Sequence, residues 1–166
     1  MPQMIFRGRK VARDRALIMG ILNRTPDSFY DKGANWDPKK ALESVARMID
    51  AGADVIDIGG VKAGVGPEVT SVEEIERVVP FIETVRARFP SIVISSDTWR
   101  AEVGHAAAEA GADVLNDTWA GADPDLALVA AEYDCGFVCS HTGGVTPRTD
   151  PTPQGVRYAD VVADVI

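Results

Sequence analysis

The stretches "AGADVIDIG" (51–59) and "AGADVLNDT" (110–118) decide the fold of this chain. Each joins a helix end to a turn and then a strand, as expected when one βα unit is used repeatedly. The repeats carry the apolar runs "DVIDI" (54–58) and "ADVLN" (112–116). Three more runs match them: "ALIMGIL" (16–22), "SIVIS" (91–95) and "GFVCS" (136–140). All five are short, rich in β-branched residues and bounded by Gly, Asp or Pro, which marks strands. None alternates polar and apolar residues as a solvated sheet would. Strands buried on both faces of a parallel sheet are expected, with right-handed crossovers.

Helical patterns lie between the strands. "DPKKALESVARMIDAG" (37–52) opens with Asp37 as cap and Pro38 at the first helical position. Ala41, Val45, Met48 and Ile49 fall near one face. "TSVEEIERVVPFIETVRARF" (70–89) places Ile75, Val78, Val79, Ile82 and Val85 on its apolar face, with Pro80 as a site for a bend. "RAEVGHAAAEAG" (100–111), "DPDLALVAAEY" (123–133) and "TPQGVRYADVVADVI" (152–166) complete the series. "MIFRGRKVA" (4–12) reads as an N-terminal hairpin with "RGRK" in a solvated turn.

Five βα units fit a doubly wound sheet or part of a barrel. The strand ends decide between them. Asn23, Asp57, Asp97, Asn116 and His141 each stand at or just after the end of a different strand. A barrel draws its site from the C-terminal ends of many strands, whereas a doubly wound sheet concentrates it at one switch point. The expected fold is therefore an α/β TIM (β/α)8 barrel, represented by its first five βα units after the hairpin. The chain stops within a helical pattern without a C-cap, so residues 1–166 are expected to be the N-terminal part of one barrel domain.

The formal charge of −8 argues against nucleic acid, whose backbone needs clustered Lys and Arg. No run of about 18 apolar residues suggests a membrane span. Cys135 and Cys139 sit about 13 Å apart along one strand, too far for a disulfide. Buried free cysteines and a reducing, cytoplasmic location are expected.

The polar segments leave alternatives open on residue chemistry alone. In "LNRTPDSFYDKG" (22–33), Asn23 and Asp27 suit a divalent ion or a phosphate-bearing substrate, or equally an Asx-type turn. Asp97 in "SSDTWRAE" (95–102) suits a heterocycle's N–H groups, or a helix N-cap. Asp57 is either paired and ionised or a buried acceptor. "GGVKAGVG" (59–66) is neither G-x-x-x-x-G-K-[ST] nor G-x-G-x-x-G. Its Lys62 is more simply solvated than anion-binding. No His, Cys, Asp or Glu spacing suggests zinc. "TGGVTPRTDPTPQG" (142–155) either closes over a site or crosses the surface.

"MGILNRTPDSFYDKG" (19–33), "ADVIDIGG" (53–60), "SSDTWRAEV" (95–103) and "AGADVLNDTW" (110–119), in this order, resemble the dihydropteroate synthase family. The divergent second copy found in actinobacteria is the most similar type. The resemblance spans the chain and corresponds to the first part of an eight-unit barrel. It implies condensation of a dihydropterin diphosphate with p-aminobenzoate, a site that sulfonamide or sulfone analogues also enter. Asn23 would contact Mg2+ and diphosphate. Thr25, Asp27, Ser28 and Phe29 would lie on the first mobile loop, Asp27 favouring a cationic intermediate by charge. Asp97 and Asn116 would hold the pterin, and His141 matches the family histidine after the fifth strand. The full-length protein would be a homodimer.

The departures from the family pattern are concentrated. Where the family has Glu-Ser-Thr-Arg-Pro-Gly after "DIGG", this chain has "VKAGVG" (61–66). The hydroxyls and guanidinium that complete the aminobenzoate pocket are gone, and Lys62 lacks the Arg fork. Thr142 replaces a pterin-packing Met, and Tyr30 and Lys32 alter the first loop. The expectation is a homologue with little or no synthase activity. Its alternatives are a pterin-dependent transferase with another acceptor, and a noncatalytic pterin-binding or scaffold protein.

Overall fold

The computed structural model describes residues 4–11, 14–25, 37–62, 64–141, 146–148 and 158–166. A two-stranded antiparallel hairpin, β1 (Met4–Phe6) and β2 (Arg9–Val11), precedes five parallel strands. These are β3 (Met19–Asn23), β4 (Val55–Gly59), β5 (Val93–Asp97), β6 (Val114–Asp117) and β7 (Gly136–Cys139). They pair strictly in chain order, β3-β4-β5-β6-β7, with no reversal. That order, with right-handed crossovers, sends the four helices between the strands to the same side and makes a partial (β/α) barrel. The helices are α1 (Pro38–Asp50), α2 (Ser71–Arg88), α3 (Ala101–Ala110), α4 (Asp125–Glu132) and the short α5 (Val161–Val165).

Local chemistry explains the elements. Asp37 caps α1 by accepting from the Lys39 and Lys40 amides. Thr70 caps α2, which runs unbroken through Pro80. The outward strand residues Leu22, Ile56, Ile58 and Ile94 pack on Ala41, Val45, Val78, Ile82, Val85 and Val103 of the helices. On the inner face, Val55, Val93 and Val114 pack against Phe6 and Val11, so the hairpin closes the N-terminal end of the barrel. The Phe6 ring lies so near Gly136 that an added Cβ there would come within 2.4 Å.

Three expectations change. The "RGRK" turn is anchored, not merely solvated: Arg7 donates to the Ala108 and Ala112 carbonyls, and Arg9 to Asp113. The cysteines are free, but Cys135 is half-buried and Cys139 exposed, because β7 is an edge strand. The strands are not uniformly buried, since edge strand β3 leaves Ile21 62% exposed.

Candidate functional site

Period-two geometry stacks the inner face of the sheet into rows. The register puts Asp57, Ser95 and Val114 in one row and Gly59, Asp97 and Asn116 in the next, and the valines Val55, Val93 and Val114 that precede Asp57, Ser95 and Asn116 along their strands pack together as an apolar floor. The parallel register sets Asn23 opposite Gly59, Gly59 opposite Asp97, and Asp97 opposite Asn116. The apolar floor thus gives way to a polar shelf at the C-terminal ends of the strands, where barrel sites form.

Asp57 is buried and accepts from the Ser95 hydroxyl and from Asn116 Nδ2, at 3.4 and 3.3 Å from its two oxygens. Burial raises its pKa, opposed by those two donors. Asp97 is half-buried and accepts from Thr118 Oγ1 at 3.3 Å. Its pKa is pushed up to about 7 by burial and then by the charge of Asp57. Gly59 keeps the shelf open: a Cβ there would stand 3.3 Å from Asp97 Oδ2 and 3.4 Å from Asn23 Oδ1. Two coupled carboxylates beside a carboxamide suit a neutral heterocycle that presents several N–H donors.

Asp97 does not cap α3. The Ala101 amide donates to Asp123 Oδ2 at 2.8 Å, and the Arg100 amide to the Thr98 hydroxyl. Asp117, next to Asn116, is committed to its own turn through the Trp119 and Gly121 amides. Thr25 is buried, and its hydroxyl has no partner among the described residues. His141 is exposed, with Nε2 2.7 Å from Asp164 and its ring against Tyr158. Its contacts are thus with α5 and the residues before it. Asp27, Ser28 and Phe29 lie outside the described residues. The structure therefore brings Asn23, Asp97 and Asn116 together. Asp57, already singled out at a strand end, joins them as a buried acceptor, and the structure adds Ser95 and Thr118, of which Ser95 was legible as the residue two before Asp97. No group of three His, Cys, Asp or Glu among the described residues could hold a metal.

The segment after β4 differs in character. Val61 and Gly64 are buried, and Gly60 lies against Val78 and Glu74 of α2. Glu74 is buried, paired with Arg100, and its pKa is raised by burial.

Residues 19–166 match the family described as pterin binding enzyme. The chain is 60% identical over 161 residues to a Mycobacterium tuberculosis protein named inactive dihydropteroate synthase 2, covering 96% of this chain and 51% of that protein. It therefore spans about half the length of such relatives. A solved Yersinia pestis dihydropteroate synthase in complex with a sulfonamide drug superposes with a TM-score of 0.87 at 35% identity, covering 99% of this chain and 58% of that one. A Xanthomonas albilineans dihydropteroate synthase with 4-aminobenzoic acid gives 0.80 at 35% identity, with 99% and 57% coverage. With the polar shelf where such a barrel places its site, the chain belongs to the pterin-binding enzyme family as a homologue of the dihydropteroate synthases.

Proposed function

We propose that residues 1–166 form the N-terminal part of a single pterin-binding barrel that holds a dihydropterin diphosphate and has little or no synthase activity. The observation that carries this is an intact shelf beside an emptied loop. Asn23, Asp57, Ser95, Asp97 and Asn116 keep their mutual contacts or register. Residues 61–66 contain no hydroxyl and no guanidinium. Asp97 and Asp57 would accept from the pterin's N–H and amino groups, Asn116 would fix the ring edge, and Ser95 holds Asp57 in place. Thr25, Asp27, Ser28 and Phe29 would border the acceptor side, with His141 near the mouth. Mg2+ arriving with the diphosphate would neutralise its charge. Asn23 would give it one oxygen, which fits an ion usually held by few protein oxygens plus phosphates and water. The sulfonamide and the 4-aminobenzoic acid of the solved relatives support p-aminobenzoate and sulfonamide analogues as acceptor-side probes, with sulfone analogues tried beside them. A cytoplasmic homodimer is the proposed state of the full-length protein.

In the family reaction the C–O bond to diphosphate breaks with its electron pair, the arylamine nitrogen then bonds to the electron-poor pterin methylene that is left, and that nitrogen gives up a proton. Contacts from the second loop act around that step. Truncating a buried charged hydrogen-bond partner costs about 2–5 kcal/mol in an interface, and about 2.7 kcal/mol is a hundredfold in rate. Grafting Glu-Ser-Thr-Arg-Pro-Gly onto 61–66 of the full-length protein is expected to raise turnover at least about tenfold. A graft that gains nothing would remove the loop as the cause.

A further inference from the structure

Four carbonyls in the segment after β4 are gripped by arginines from elsewhere in the chain. Arg77 of α2 donates to the Gly60 carbonyl at 2.8 Å, and Arg100 to that of Val69 at 2.7 Å. Arg148, beyond β7, reaches back to two more: Nε to Gly64 at 3.4 Å and Nη1 to Pro67. Arg77 and Arg100 are each paired with a glutamate of α2, Glu73 and Glu74. Gly66 provides the notch for Arg148, since a Cβ there would lie 2.7 Å from Nη2. Arg148 has φ +62, a left-handed conformation that a residue with a Cβ adopts only when its surroundings hold it there. A segment without catalytic side chains is thus held by its backbone at both ends and in the middle.

We propose that Arg148 is a strap across the barrel mouth, a positioning residue that fixes residues 64–67 as a permanent wall in place of a lid that opens and closes. The planar fork is what allows one side chain to bridge two carbonyls, and a lysine cannot reproduce it. The fixed wall borders the pterin shelf on the reading above, but the contacts themselves do not depend on any ligand.

The test is amide hydrogen exchange on the ligand-free full-length protein, comparing wild type with Arg148→Ala, Arg148→Lys and Gly66→Ala. The last leaves residue 148 an arginine but fills the notch that seats it. In all three variants exchange over 64–69 should speed up at least about tenfold, because charge-assisted bonds are lost, while amides of α3 and β6 stay within about twofold. Unchanged exchange over 64–69 would overturn the strap, and so would an increase spread evenly over the barrel. Full rescue by Arg148→Lys would overturn the bridging role of the fork. Since no pterin is present, failure here is separable from failure of the pterin assignment.

Discussion

Asp97→Asn separates what the shelf costs from what it does. Asp97 stands on the inner face near Asp57, and its pKa is raised from 3.8 to about 7. One pH unit is worth about 1.4 kcal/mol. Ionising Asp97 in the folded chain therefore opposes folding by about 4 kcal/mol, or about 2 kcal/mol after screening at a mouth open to water. The sign follows from linkage: between about pH 4 and 7 the folded state holds a proton that the unfolded state has released, so stability falls as pH rises and levels off above 7. Asn carries no such proton. The variant should match or trail wild type at pH 4 and exceed it by about 2 kcal/mol at pH 8, read from urea midpoints of the full-length protein. It should also lose pterin binding, since Asn offers a donor where the ligand needs an acceptor. Equal destabilisation at both pH values would refute the argument, because it would make Asp97 an ordinary structural acceptor.

Further outcomes follow from the same geometry. If anionic Asp97 is the binding form, affinity for the dihydropterin diphosphate should rise about tenfold from pH 6 to 8 in titrations, following its ionised fraction, and a flat profile would assign binding to other groups. Gly59→Ala places a Cβ 3.3 Å from Asp97 Oδ2, so pterin affinity should drop severalfold while the melting temperature barely moves. Asp113→Ala removes the shared partner of Arg9 and Arg86 at the opposite end of the barrel. Removing that buried carboxylate takes away an acceptor of the Ile94 amide and the shared counter-charge of two half-buried guanidiniums, which should cost about 1–3 kcal/mol in urea unfolding, with pterin affinity of the folded protein unchanged. A chain of these 166 residues alone should self-associate, since edge strands β3 and β7 expose Ile21 and Val138; a monomer with one cooperative unfolding transition would contradict that.

Much of this was legible in the sequence because it is local. The five strands, their parallel order and the placing of Asn23, Asp97 and Asn116 at strand ends all follow from short periodic runs and their boundaries. The bonding inside the shelf was not legible. Asn116 reaches Asp57 across 59 residues, and only the register of β4, β5 and β6 brings them together. The choice between ligand and cap for Asp97 turned on Asp123, which caps α3 from the next loop. The anchoring of Arg7 and Arg9 depended on carbonyl and carboxylate groups about 100 residues away. The exposure of Cys139 and Ile21 depended on which strands lie at the sheet edges, which no run of residues declares.

Retained pterin binding without synthase chemistry is the property proposed for the full-length protein. Calorimetric titration of the full-length protein with dihydropterin diphosphate and magnesium, followed in the same cell by p-aminobenzoate, tests it most directly. Saturable pterin binding with no dihydropteroate formed is the expected result. Product formation at a rate typical of the family's synthases would contradict the emptied-loop argument, and no pterin binding at all would contradict the assignment of the shelf.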